Sequence, residues 1–232
     1  MHRALGYVAV ASLAATLTTP LFAQQRGAAP AAAAPPMTMT VAGFVDGGQI
    51  PVRITQAAPG VATGEGLSPA ITWTNTPAGT QSFVLNMHDM EVVRNKTSDD
   101  QAHWVMWNIP AASTGLPEGV AKTSQLADGS YQISATGTMY RGPGAPANGP
   151  PHHYMFEIYA LDTKLDVAPT ADAFDTRTNV MKAMQGHILG MSLIRFSGQV
   201  CGVGRSSSSV LLGIPAAPGV EPVRNRVLSG FA

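Results

Sequence analysis

Residues 81–89 alternate apolar and polar positions, so an extended chain would place Phe83, Leu85, Met87 and Asp89 on one face. The same two-residue period over residues 103–109 gathers His103, Val105, Trp107 and Ile109 together and sets Trp104 on the opposite side from Trp107. Residues 154–161 are mostly apolar, which predicts a strand at the centre of a sheet. Over residues 176–185 the spacing becomes helical: Val180, Met181 and Met184 cluster on one face and Gly186 supplies a C-terminal stop. Residues 187–196 read as a last strand. These elements predict one mainly β domain, with a short helix near its C-terminal end.

The flanks read differently. His2 and Arg3 precede an apolar run over residues 4–17, and Leu21-Phe22-Ala23 before Gln24 has the form of a cleavage site, so residues 1–23 read as a secretory signal peptide. The run is short for a bilayer span and is followed by Pro20, which disfavours a retained membrane anchor. No cysteine stands near residues 15–30 to carry a lipid. A periplasmic or secreted protein is expected. Residues 24–36 are an Ala/Pro-rich linker, residues 37–201 are domain-like, and residues 202–232 form a low-complexity tail broken by proline. Val210-Leu211-Leu212 within that tail is apolar enough to dock on the domain.

Composition narrows the function classes. Only 12% of the 232 residues are charged, and 24 Gly with 18 Pro suit a protein of strands and turns. Lys+Arg and Asp+Glu are both 14, so no basic excess is present to neutralise a nucleic-acid backbone. Cys201 is the single cysteine, which excludes an internal disulfide and a zinc site of paired cysteines. No cofactor-binding motif is evident, and a homodimer is compatible with the chain.

Three segments put polar groups where the apolar pattern would not. Asp89 shares a face with apolar residues, and a buried carboxylate needs donors. His103 opens an aromatic strand. The loop Gly142-Pro143-Gly144-Ala145-Pro146-Ala147-Asn148-Gly149-Pro150-Pro151 is stiffened by four prolines and bent by three glycines, and delivers His152, His153 and Tyr154 into the apolar run. A carboxylate and two imidazoles at strand ends would form a polar socket in apolar walls, the anatomy of a ligand pocket. The same trio is also a permissible metal-ligand set, but the close His spacing of zinc enzymes is missing and no metal is expected. His88 alternates away from Asp89, and His187 reads as a cap or packed residue. Ser68-Pro69 lacks the Gly-x-Ser-x-Gly surroundings of a nucleophile and reads as a turn.

The residues from about 44 to 196 resemble the phosphatidylethanolamine-binding protein family in its bacterial Raf-kinase-inhibitor-like branch. The resemblance rests on Leu67-Ser68-Pro69-Ala70-Ile71-Thr72-Trp73, on Asp89-Met90-Glu91, on His103-Trp104-Val105-Met106-Trp107-Asn108-Ile109-Pro110, and on the Pro/Gly loop with Tyr154 and Tyr159-Ala160-Leu161-Asp162. It implies a β-sandwich-like core with few helices, and a small pocket for an anion such as phosphate or a phospholipid head group. By position, Asp89 and Glu91 stand for the family's two aspartates, His103-Trp104 for its His-Trp pair, and His152 and Tyr154 for its late histidine and tyrosine, while Pro143 shapes the wall. Met90 replaces a proline, Ala145 replaces a loop proline, and His153 stands where arginine is usual. The Gly-Thr-Tyr that follows the last strand is replaced by Phe196-Ser197-Gly198 nearby.

The resemblance implies a binding protein, with the imidazole N–H groups of His103 and His152 donating to an anionic oxygen and Asp89 fixing one ring's tautomer. Histidines ordinarily titrate near ~6.5, so binding should strengthen as pH falls. An enzyme using Asp89 and a histidine as acid and base is the alternative, although no activated nucleophile is visible. A third class is an interaction module that docks a partner's acidic group. Kinase regulation transfers poorly to an exported chain.

Overall fold

The computed structural model describes residues 34–94 and 96–198. The signal peptide, nearly all of the linker, Cys201 and the tail expected from the sequence lie outside the described residues.

Among the described residues, nine strands and one α-helix build the domain: β1 (Thr38–Val41), β2 (Gly48–Gln49), β3 (Ile71–Thr74), β4 (Ser82–Val93), β5 (Asp100–Pro110), β6 (Gly115–Leu116), β7 (Tyr131–Ile133), β8 (His152–Leu161), α1 (Ala173–Ala183) and β9 (Ile188–Gly198). They form a large sheet in the order β2-β9-β8-β4-β5-β7 and a small one in the order β1-β3-β6. The strands read over residues 81–89, 103–109, 154–161 and 187–196 appear as β4, β5, β8 and β9, and β8 lies inside the sheet as its apolar run predicted. The helix begins earlier than the apolar spacing suggested, because Asp172 caps it by accepting from the N–H groups of Phe174 and Asp175. Five strands of two to four residues, β1, β2, β3, β6 and β7, carry too little pattern to be read from periodicity.

The two sheets sandwich the main core. Met39, Val41, Ile71, Trp73 and Leu116 face Phe83, Leu85, Met87, Trp104, Phe156, Ile158 and Phe196. On the far face of the large sheet, Val84, Val105, Trp107 and Leu161 pack beneath Val180 and Met184 at α1. Trp104 and Trp107 therefore belong to opposite cores, as expected.

Two irregularities in the β4–β5 ladder decide where side chains point. Met87 pairs with Trp104 and His88 with Ala102, which leaves His103 as an extra residue on β5. Such a bulge puts two neighbouring side chains on one face. His103 thus joins Gln101 and Trp104 on the inner face, which corrects the expectation that it would share a face with Val105 and Trp107. A second shift lies between Phe83 and Leu85, opposite Asn108, whose φ is 57°. It returns Ile109 to the main core. Asparagine tolerates this left-handed backbone, and its amide clamps Leu165, donating to the carbonyl at 2.9 Å and accepting from the N–H at 2.8 Å.

Asn108→Ala should therefore lower stability by about 2–3 kcal/mol, from two lost hydrogen bonds and a strained backbone. Urea unfolding would show a lower midpoint at an unchanged slope. An unchanged midpoint would mean that this amide does not hold the second shift.

Candidate functional site

The inner face of the large sheet ends in polar residues on three adjoining strands. Asp89 on β4 pairs with Tyr154 on β8 and Gln101 on β5. His152, two residues before Tyr154, lies on the same face and diagonal to Asp89. The bulge adds His103. A cavity of about 290 Å³ opens here, with Asp89, Gln101, His103 and His152 on the strand side. Gln56, Thr63, Arg141, Gly144, Ala145 and Pro146 face them from the loops.

Asp89 is only 2% exposed, and both of its carboxylate oxygens are engaged. Oδ1 accepts from the Glu91 N–H at 3.0 Å, and Oδ2 accepts from Nδ1 of His152 at 2.7 Å. The Nε2 of His103 stands 3.9 Å from Oδ2, too far for a hydrogen bond. Asp89 thus orients His152 alone. With Nδ1–H given to Asp89, the Nε2 of His152 is left for a ligand, to which it donates only when the ring is an imidazolium.

His103 plays a different part. Its Nδ1–H donates to the Arg141 carbonyl at 2.8 Å, and its Nε2 lies 3.3 Å from the Gln101 amide nitrogen, which donates to it. The ring is 1% exposed. Burial drives its pKa down from 6.5 to about 4, outweighing the Arg141 carbonyl and Asp89, which favour the charged form. A neutral ring with Nδ1–H has no N–H left for an anion, which corrects the expectation that both histidines donate. His103 instead pins the start of the Pro/Gly loop, where the Arg141 N–H also bonds the His103 carbonyl at 2.9 Å.

The loop's shape depends on Gln56. Its amide donates to the Gly142 carbonyl at 2.7 Å, and its N–H bonds the Pro143 carbonyl at 3.0 Å. A Cβ on Gly144 would stand 2.5 Å from the Gln56 amide nitrogen, and one on Gly142 would stand 2.9 Å from the Ile54 carbonyl oxygen. At 142 the obstacle is backbone and only glycine fits, whereas at 144 a Cβ would displace the Gln56 side chain.

Of the predicted residues, Asp89, His103 and His152 meet at the cavity. The others stand behind or beside it. Tyr154 is fully buried beneath the two histidines, edge-on to His103 at 5.1 Å and stacked on Phe196 at 5.4 Å. Its hydroxyl lies near the Asp89 carboxylate and the Gly144 and Ala145 amides without closing a bond of good geometry, and burial raises its pKa. Trp104 is core, bonded through Nε1 to Gln132 at 2.8 Å. Pro143 is buried behind the loop wall. Glu91 turns outward and accepts from the N–H and Nδ1 of His153, both at 2.6 Å. Although burial works against it, these bonds hold the Glu91 carboxyl below its usual range. Glu91 and His153 are therefore a rim ion pair rather than cavity lining, so the departure at His153 has its counterpart in Glu91.

Sequence reasoning missed Gln56, Thr63, Gln101 and, above all, Arg141. Arg141 immediately precedes the loop, and that adjacency was the available signal. Among the described residues, Asp89, Glu91 and His152 have metal-ligating atoms within 4.8 Å of one another. Both carboxylates already have imidazole partners, Asp89 in His152 and Glu91 in His153.

His88, Ser68 and His187 behave structurally. Ser68 accepts from the Val120 N–H at 2.9 Å, and His187 pairs with Asp162 at 2.8 Å. His88 lies on the far face of the sheet, bonded to Asp100 and 3.6 Å from Glu157. Burial opposes its charge, but these carboxylates prevail and raise its pKa from 6.5 to about 9.

The architecture is that of an open β-sandwich domain with a polar cavity at the strand ends, and comparison makes it specific. The family described as Phosphatidylethanolamine-binding protein matches residues 40–197. The chain belongs to that family. It is 39% identical over 156 residues to a UPF0098 protein of Methanothermobacter thermautotrophicus, covering 66% of this chain and 93% of that one. It is 29% identical over 159 residues to LppC of Mycobacterium tuberculosis, named as a candidate lipoprotein, covering 68% and 71%. In structure it resembles YbcL of Escherichia coli, described as a member of the mammalian PEBP family, with a TM-score of 0.57 at 24% identity over 70% of this chain and 98% of that one.

The two shifted histidines give stability opposite pH dependences. His103 binds a proton more readily unfolded than folded, so its contribution is present above pH 6.5 and lost as pH falls towards about 4. His88 holds its proton more tightly when folded, so its contribution is present below pH 6.5 and lost as pH rises through about 9. Urea midpoints across pH should peak near neutrality, with His103→Gln flattening the acid limb and His88→Gln the alkaline one. A single His103→Gln effect, equal at all pH values, would contradict the neutral buried ring.

Proposed function

We propose that this chain is an exported binding protein of its family, taking a small anion in the Asp89–His152 cavity: a phosphate group, free or on a phospholipid head group. The observation that carries the reading is the donor set. An imidazole held by Asp89 and the Arg141 guanidinium, which has no ion pair among the described residues, face one cavity. Charge-assisted bonds from such groups suit an anionic oxygen. A volume of about 290 Å³ matches a head group, being at the small end of ligand sites, and is too small for acyl chains as well. Among the described residues that line the cavity, Thr63 is the one that bears a hydroxyl, and no Ser, Cys or Lys joins it, which favours binding over covalent catalysis. The name of the family supports the ligand class.

Export is supported by the apolar run over residues 4–17 with Leu21-Phe22-Ala23 after it, and by the lipoprotein name of LppC. No described helix is long and apolar enough to cross a membrane.

In titration calorimetry with inorganic phosphate, His152→Ala should weaken binding roughly tenfold or more, the worth of one charge-assisted bond. Full affinity in His152→Ala would sink the reading. The exported protein, isolated from periplasm or medium, should have a mass that begins at Gln24. Finding residues 1–23 still attached, in the cytoplasmic fraction alone, would refute export.

A further inference from the structure

A second, larger cavity of about 620 Å³ has Arg94, Ser134, Thr136 and Asp172 in its lining, beside the start of α1. The two cavities have no lining residue in common, but neighbouring residues link their linings. Val92 of β4 lines the first and Arg94, two residues on, lines the second. Consecutive carbonyls of β5 fasten the other side: Ala102 accepts from the Ala135 N–H at 3.2 Å and His103 from the Arg141 N–H at 2.9 Å. Gly64, next to Thr63 of the first cavity, accepts from Oγ1 of Thr136 of the second at 2.6 Å.

Arg94 and Arg141 stand one in each cavity. Among the described residues neither guanidinium meets a carboxylate at ion-pair distance, whereas Arg53 and Arg177 do, with Glu118 and Asp100. The Nε of each is buried without a hydrogen-bond partner. They are close enough to repel, since Arg94 adds to burial in lowering the Arg141 pKa. The carboxylates that line the two cavities are committed elsewhere: Asp89 to His152 and the Glu91 amide, Asp172 to the Phe174 and Asp175 amides at the start of α1. Ser134 and Thr136 already donate to the carbonyls of Gly137 and Gly64. The Arg94 guanidinium is therefore the charged donor that the second cavity offers, and two partly buried cations of like sign are stabilised together only by added negative charge.

We infer that the site takes a ligand with two phosphate groups, a diphosphate or short bisphosphate, the first on His152 and Arg141 and the second on Arg94. This rests on the anion reading of the first cavity.

The test is calorimetry on the full chain with inorganic phosphate, pyrophosphate and propanediol bisphosphate. One of the two-phosphate probes should bind wild type roughly tenfold or more tighter than phosphate, the worth of a further charge-assisted contact. Arg94→Ala should bring that ratio close to one, Arg94→Lys should restore part of it, and thermal unfolding should confirm that both variants are folded. A ratio that stays the same in Arg94→Ala, or two-phosphate probes that bind wild type no better than phosphate, overturns this inference and leaves the first cavity's reading intact. Absence of phosphate binding in wild type, or binding that survives His152→Ala, overturns both.

Discussion

A carboxylate that is almost wholly enclosed sets the terms for the rest of the site. Asp89 continues a row of core residues, Phe83, Leu85 and Met87, on the inner face of the large sheet. An unpaired charge there would cost several kcal/mol, so the surrounding chain must supply donors. One comes from the backbone two residues on, at Glu91, and the other from His152, where the Pro/Gly loop enters β8. The ends of two central strands are thereby tied together, and a histidine is held with one nitrogen engaged and the other facing a cavity.

The bulge at His103 completes the arrangement from the other side. An unbulged β5 would send that imidazole to the far core, and the Arg141 carbonyl would lose its donor. Instead the ring closes the floor and fixes the residue that begins the loop. The two histidines divide the work: one is neutral and structural, the other bonds Asp89 through Nδ1 and lines the cavity. The sheet's two faces divide in the same way. The far face carries a charged network of His88, Asp100, Glu157 and Arg177 beneath α1, and this serves packing, with each carboxylate matched by a cation.

Most of this could be read from residue order. The long strands were legible because their alternation is regular, and Asp89, His103 and His152 were legible because polar residues interrupted it. Counting by twos fails at a bulge, which is why His103 was assigned to the wrong face although it lines the cavity. Short strands such as β2 and β6 are held by neighbours rather than by their own pattern. Glu91 and His153 were each compared singly with a family position, whereas they act as a pair on the rim. Arg141 escaped notice because a lone arginine before a turn is ordinary in sequence, and only the fold shows that no carboxylate among the described residues pairs with it.

The central claim is that Asp89 and the Arg141 carbonyl hold both histidines with Nδ1 protonated, leaving His152 as the imidazole that answers to an anion. Long-range proton–nitrogen correlation spectra of the imidazoles, recorded with and without phosphate, test this most directly. The account predicts that near neutral pH His103 is the neutral Nδ1–H tautomer in both spectra, and that Nε2 of His152 shifts when phosphate is added. A protonated or Nε2–H ring at His103, or a phosphate response at His103 with none at His152, would contradict it.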